Sequence, residues 1–585
     1  AVLLPGAAMR SVRIGLVLPV TGGLISWAPS YPKPADVSFD PVQYCYLADE
    51  PGKARTGIPM LSLYHPSGGG LSMVMPFELP KVQLNMGVEP RDPRPWYVPE
   101  RIPRISAGAE VDTVTPPQRR DLGQTPVIRF TEKHVGLRPN RPLRFGLWLY
   151  GHEPDWRPGL GRVVQRYADY FEPHPDSLAC AGGRFTALPD NIDEPKVQFL
   201  RAFGVSHVWF HGHFEFHGEF LTDRALSDPD YRWVCEPYPD RFGELSVERI
   251  RRQVGMLKAA GIGTFLYGFN MHCDPTIIEK RGLQADVARN QDGQIARAYH
   301  DQPVMFFQPE SPFGRQLLDQ IDRIVRTYPD IRGIGLDNWN YTGIDFGHDD
   351  GITMVGNCPA ANINFSQQRM IEAISAKLHG SGRLVMTNKG RTIESLRGVD
   401  FMGTEARGAE TFATFAYMNL FRTVTPTEYA ARDNPQYAEY VLKYLLIWGG
   451  QMGTHERQAD LDQARAYQPL LERLRNRRWI FTPQPLSLPP QTEGQICRID
   501  DRSADHGGAV VVTVVRPEVS WRDAKLRPGL SVVVCLPDAD RFSRAEWLGV
   551  ERSSQPAVTC RMRRNADRIE IDLPPVGAAG VLRLS

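Results

Sequence analysis

Several features that would narrow the class of this chain at once are missing from it. Its eight cysteines in 585 residues are scattered, and none forms a Cys-x-x-Cys pair, so a zinc ribbon or a thioredoxin-like motif is not expected. They are also too sparse for a disulfide scaffold. No apolar run nears the roughly 20 residues that a membrane-spanning helix needs. Residues 1–8 are apolar but lack the basic start and the length of a signal peptide. No charge dominates: 68 Lys and Arg stand against 67 Asp and Glu, a net charge of +1. The bulk electrostatic footprint of a nucleic-acid or anionic-membrane partner is therefore absent. There is no repeat at a solenoid period and no low-complexity tract. No Gly-x-Gly-x-x-Gly turn signals a dinucleotide, and no cofactor is implied. Compartment and oligomeric state stay open.

What is present is a large, ordinary globular composition, 42% apolar and 23% charged, too long for one core and therefore expected to form two to four domains. Its 49 prolines and 52 glycines suit turn-rich β domains and long ordered loops. Three parts follow from the rhythm of the sequence. In residues 1–175 short β-like runs (12–18, 71–75, 126–130 and 143–149) alternate with Pro and Gly, the pattern of a β-sandwich. Residues 176–485 alternate helix and strand. Strands are expected at 206–210, 262–268, 331–337, 383–388, 399–405 and 447–452, and helices at 245–260, from Ser311-Pro312 onward, 365–378, 437–446 and 460–475. This is the signature of a (β/α)₈ barrel or an open parallel sheet, with the barrel favoured by length and by polar residues at nearly every strand end. From 486 to 585 the β rhythm returns (508–515, 530–535, 568–573) and predicts a smaller second sandwich.

The sharpest chemical segment is Gly333-Ile334-Gly335-Leu336-Asp337-Asn338-Trp339. Alternation along a strand puts Asp337 and Trp339 on one face. A carboxylate beside an indole suits a sugar ring, one meeting the anomeric carbon and the other its C–H face. The plainer alternative is that Asp337 caps the following loop. A second carboxylate, Glu405, ends the second strand after that of Asp337, a separation across which two carboxyl groups can flank a glycosidic bond. Its neighbour Arg407 is either an ion-pair partner or a substrate contact. Between them Asn388 and Lys389 offer donors to hydroxyls or to Asp337, and Lys389 as a Schiff-base nucleophile would need a carbonyl substrate.

The densest histidine cluster, with His211 and His213 beside Trp209, is similar to the metal-binding His-x-His of amidohydrolases at a first barrel strand. The later strand ends carry no matching histidine set, so sugar binding or packing is the expected role. Asn270, His272 and His455 complete the rim as polar lining. Glu215, Asp274 and Glu456 are rival carboxylates, and the loop with Asp345, Asp349 and Asp350 carries a weak calcium signal.

A front sandwich, a barrel with an Asp on one strand and an acid two strands later, and a small rear sandwich together resemble the α-galactosidase-like retaining glycoside hydrolases. The bacterial α-galactosidase and endo-α-N-acetylgalactosaminidase groups stand nearest. The segment from Tyr150 to Leu160 and on to Phe171 resembles the sandwich-to-barrel connector of such proteins. The resemblance implies a nucleophile at the end of the fourth strand and an acid/base near the sixth, roles that fall on Asp337 and Glu405. It also implies an oligosaccharide or glycoconjugate as substrate. The chain departs from the α-galactosidase Lys-x-Asp pattern, since Gly335-Leu336-Asp337 stands there. A metal-dependent barrel hydrolase using His211 and His213, and a carbohydrate-binding protein without turnover, are the alternatives from other classes.

Overall fold

The computed structural model describes residues 10–19, 24–29, 35–36, 43–46, 54–90, 126–139, 141–178, 184–187, 192–268, 271–339, 341–404, 409–426, 435–450, 452–454, 461–500 and 508–585. At its centre lies a parallel sheet of eight strands: β1 (Arg184–Ala187), β2 (Val205–Phe210), β3 (Gly263–Gly268), β4 (Gly333–Leu336), β5 (Leu384–Asn388), β6 (Phe401–Thr404), β7 (Thr423–Pro426) and β8 (Met452–Thr454). The order is β7-β6-β5-β4-β3-β2-β1-β8. The sheet therefore curls until its last strand pairs with its first, Arg184 opposite Met452. A β7–β8 ladder is not among the pairings of the described residues.

Helices follow these strands, except that a single 3-10 turn (Glu394–Leu396) stands between β5 and β6: α1 (Glu194–Ala202), α2 (Val247–Ala259), α3 (Pro312–Thr327), α4 (Ile363–Gly380), α5 (Ala409–Met418), α6 (Pro435–Trp448) and α7 (Leu461–Glu472). Their starts are written in the sequence. Ser246 accepts from the Arg249 amide, and Ser311 accepts from Gly314 with Pro312 in the first turn, so free helix-end donors are satisfied before the apolar stripe begins. That stripe, Leu317, Ile321 and Ile324 in α3, is buried against the sheet.

In front stand two five-stranded sheets whose facing side chains form one core, including Tyr46, Leu61, Leu63, Met73, Leu84, Met86 and Phe130. This is the sandwich expected from period-two alternation. Behind, a six-stranded and a four-stranded antiparallel sheet enclose Val512, Val532, Trp547, Ile569 and Ile571. Among the described residues no helix is long and apolar enough to cross a membrane.

Three local expectations fail. The run at 143–149 becomes a strand only from Trp148, in the element Trp148–His152. Residues 447–452 are not a strand throughout: α6 continues to Trp448, and β8 starts at Met452. An apolar run of that length fits a buried helix end as well as a strand. The strand at Val205–Phe210 is the second of the sheet, because the short β1 precedes it. The histidine cluster thus follows β2, not a first strand.

Candidate active site

The carboxyl ends of β2 to β5 carry the candidate residues that are described. Along β2 the residues of one parity point inward. His207 lies against Phe265 and Phe401. Trp209 comes next, stacked on Tyr267 at 5.7 Å and 22°. His211 then sits 4.3 Å from the Trp209 ring and 4.5 Å from Tyr267. The space for the indole comes from β4. A Cβ on Gly335 would lie 2.4 Å from Trp209 Nε1, closer than any side chain tolerates, so the glycine is required by this close approach.

Asp337 follows Gly335 on the same face, half-buried. Its Oδ2 accepts from the Tyr267 hydroxyl at 3.0 Å and from Asn338 Nδ2 at 3.1 Å, while Oδ1 accepts from Asn388 Nδ2 at 2.9 Å. All three donors are neutral. Together they fix the plane of the carboxyl group. Tyr267 was not singled out from sequence as a site residue. Its signal was parity, two residues after inward-facing Phe265 on β3, where it pairs with Gly335.

Trp339 does not share the face of Asp337. Asn338 adopts a left-handed φ of +52°, which ends the strand alternation one residue early. The Trp339 ring turns into the core, 1% exposed. Its indole N–H donates to the Ser395 carbonyl at 3.1 Å, and its backbone N–H donates to Asn388 O at 3.2 Å. It braces the site and offers no open ring to a sugar. Lys389 breaks β5 in the same way, with φ +59° and its amide donating to Gly403 O at 2.8 Å. Its side chain is half-buried.

The histidines are largely committed. His213 is fully buried, Nε2 bonded to the Tyr267 carbonyl and the ring stacked on Phe220. Burial pushes its pKa down to about 4. His272 is fully buried with Nε2 against the Tyr341 hydroxyl, which makes it a packing residue of the loop after β3. His211 differs. Burial and the nearby Arg241 charge hold its pKa well below the usual value, so it is neutral near pH 7, and Nε2 has no partner among the described residues. The Trp209 indole N–H is likewise buried and without a partner among the described residues. Two unsatisfied buried groups beside a carboxylate are what a polyhydroxylated ligand would complete.

Among the described residues no three His, Cys, Asp or Glu side chains group as a metal site. The calcium signal dissolves for the same reason. Asp345 accepts from the amides of Arg289 and Gly347 and from His348. Asp349 pairs with Arg138, and Asp350 accepts from Ile352, Thr353 and Asn362. Of the rival carboxylates, Asp274 caps a short helix through the Thr276 amide. Glu215 accepts from the Tyr231 hydroxyl at 2.7 Å, and burial raises its pKa. Glu405, Arg407, Asn270, His455 and Glu456 lie outside the described residues. The strand that leads to Glu405, β6, is second from β4 in the sheet, with β5 between them.

No family model matches the chain, and no curated protein matches it in sequence. In fold it is similar to several solved structures. One is a cycloalternan-degrading enzyme from Trueperella pyogenes (TM-score 0.55, 12% identity, 98% of this chain and 83% of that one). Another is a variant of the GH36 alpha-galactosidase AgaA from Geobacillus stearothermophilus in complex with 1-deoxygalactonojirimycin (TM-score 0.53, 10% identity, 98% and 76%). A third is the alpha-N-acetylgalactosaminidase NagBb from Bifidobacterium bifidum (TM-score 0.50, 10% identity, 84% and 80%). At such identities the likeness establishes the fold. It is a fold found among the group of glycoside hydrolases that the sequence resembles.

Proposed function

We propose that this protein is a glycosidase that cleaves an α-linked sugar, galacto-configured or N-acetylated, by a retaining double displacement. Its curled sheet is read as a closed (β/α)₈ barrel spanning 176–485, between sandwiches at 1–175 and 486–585. The observation that carries the reading is Asp337 at the end of the fourth strand, held by Tyr267, Asn338 and Asn388 beside the unsatisfied Trp209 and His211. Parity supports the partner: Gly403 faces the Asn388 side chain, and Glu405 is two residues further along. The fold neighbours include an alpha-galactosidase complexed with 1-deoxygalactonojirimycin and an alpha-N-acetylgalactosaminidase, which favours those sugars.

In the first step an oxygen of Asp337 bonds to the anomeric carbon as its bond to the leaving oxygen breaks, and Glu405 gives that oxygen its proton. In the second, Glu405 takes a proton from water, whose oxygen bonds to the same carbon and frees Asp337. Trp209, His211, Asn388, Lys389 and Arg407 would hold the ring, with Asn270 and His455 at the rim.

The test is a panel of chromogenic α- and β-glycosides given to wild type, Asp337→Asn, Glu405→Gln and Glu215→Gln. Wild type is expected to cleave an α-glycoside with retained configuration by NMR. Asp337→Asn should lose roughly a thousandfold or more of the turnover, and Glu215→Gln should keep most of it. Full turnover by Asp337→Asn would sink the reading. Turnover abolished by a chelator would move the chemistry to a metal.

A further inference from the structure

A cleft of about 620 Å³ opens where α7 meets the rear sandwich, in a part of the molecule the glycosidase reading does not use. A helix that follows a barrel strand runs back toward the strand amino ends. The end of α7 therefore lies at the opposite end of the sheet from Asp337.

Two arginines from different parts of the chain meet there: Arg473, just past α7, and Arg583, on the exposed face of the strand Ala579–Leu584. Neither guanidinium makes a hydrogen bond or an ion pair among the described residues. Glu472, Asp500 and Arg475 line the same cleft, and the carboxylates in and beside it have other partners. Glu472 lies 3.7 Å from Arg475, Asp500 is 3.8 Å from Arg478, and Glu546, the strand partner of Arg583, pairs with Arg544 at 2.7 Å. Burial, and then the charge of Arg583, hold the Arg473 pKa below its ordinary value, against a smaller opposing effect of Glu546, so the two guanidiniums are close enough to repel. Asn476, Ser553 and Gln555 add amide and hydroxyl groups to the walls. Ile499, Leu548 and Pro556 supply apolar surface. The volume lies within the range of small-molecule sites.

We propose that this cleft is a second ligand site, which takes a small sugar carrying an oxyanion. Arg473 and Arg583 clamp the anionic group, the amides meet hydroxyls and the apolar wall meets the ring. Guanidinium donors suit carboxylate and phosphate oxygens alike, so a sugar carboxylate and a sugar phosphate share the needed chemistry.

Titration calorimetry at low salt separates the sources, with glucuronate, glucose 6-phosphate and neutral glucose as probes on the full chain. Saturable binding of at least one acidic sugar, weakened by added salt and absent for glucose, is expected. Arg583→Gln, on an exposed strand position, should weaken that binding about tenfold or more at unchanged melting temperature. Arg473→Gln should do the same, and Arg473→Lys should restore part of it. Binding of neither acid overturns the proposal, as does equal binding of glucose or acid binding indifferent to Arg583→Gln. None of these readouts uses catalytic turnover, so the outcome stands whether or not the glycosidase reading does.

Discussion

Tyr267→Phe tests the site at the contact that geometry added to it. The substitution removes one hydroxyl, the donor to Asp337 Oδ2 at 3.0 Å. It leaves the ring stacked between Trp209 and Phe214, the latter at 5.3 Å and 14°. A hydrogen bond to a charged group contributes about 1.5–3 kcal/mol, and about 1.36 kcal/mol corresponds to tenfold in rate. The whole bond is thus equivalent to about 10- to 150-fold. Its effect is unequal on the two chemical steps. When Asp337 attacks, its charge is disappearing, so losing the donor costs little. When the covalent sugar is released, charge returns to the carboxylate, and the missing hydroxyl raises that barrier. The expected result on an activated α-glycoside is a fall of about tenfold in kcat, with KM falling alongside and kcat/KM nearly kept. Rapid mixing should show a burst of aglycone that wild type lacks. An equal loss in kcat and kcat/KM with no burst would refute this assignment and point to Tyr267 contacting the sugar itself.

Gly335→Ala should destabilise the chain by about 1–3 kcal/mol, because its Cβ would meet Trp209 Nε1 at 2.4 Å and Cδ1 at 2.8 Å; calorimetric unfolding measures this, and an unchanged profile would contradict the packing. Asp350→Ala strips acceptors from the Ile352, Thr353 and Asn362 amides and should cost about 1–3 kcal/mol. In wild type EGTA should leave the melting temperature where it was, since that loop is held by protein donors. The His379 pKa is raised by its hydrogen bond to the buried Asp400, at 2.8 Å. Its contribution is therefore complete below the unfolded histidine value of about 6.5 and lost as pH rises through the higher folded value. Melting curves across that window should show wild type losing stability relative to His379→Gln as pH increases, and parallel curves would refute the contact.

Sequence reasoning found five of the seven helices, missing α1 and α5, and six of the eight strands in their chain order, because caps and periodicity are local. Ser246, Ser311 and Pro312 announce their helices whatever packs against them. It passed over β1 and β7, Arg184–Ala187 and Thr423–Pro426, because four residues carry too little alternation to stand out. At the site, Asp337 was legible from its position after a Gly-rich strand, and Asn388 was legible as a donor near it. Trp339 was misplaced because a parity argument assumes continuous extended backbone, and one left-handed residue, Asn338, breaks it. Tyr267 was overlooked because its importance is a pairing property. It sits opposite Gly335 on the neighbouring strand, and no window along one segment contains both.

The front sandwich bears directly on how Asp337 is held. Lys81, 3% exposed, reaches Glu394 at 2.9 Å and also donates to the carbonyls of Pro76 and Leu79; Tyr46 of the sandwich core bonds the other oxygen of Glu394. Ile393 donates to Gly57 O at 2.8 Å, so the segment after β5 is fastened to the sandwich by buried polar side chains and by backbone. The residue after Glu394 is Ser395, whose carbonyl takes the Trp339 indole, and Trp339 in turn donates to Asn388 O. Asn388 then holds Asp337. Burial disfavours both charges, which pushes the Glu394 pKa up to about 8 and the Lys81 pKa down to about 7, the desolvation cost of placing these groups inside. Apolar packing could have joined the two layers without that cost. A directional contact, with one Glu394 oxygen bonded to Tyr46 and the other close to Lys81, fixes a register that apolar packing leaves free to slide, and the register fixed here is that of the two strand-end loops between which the carboxylate sits.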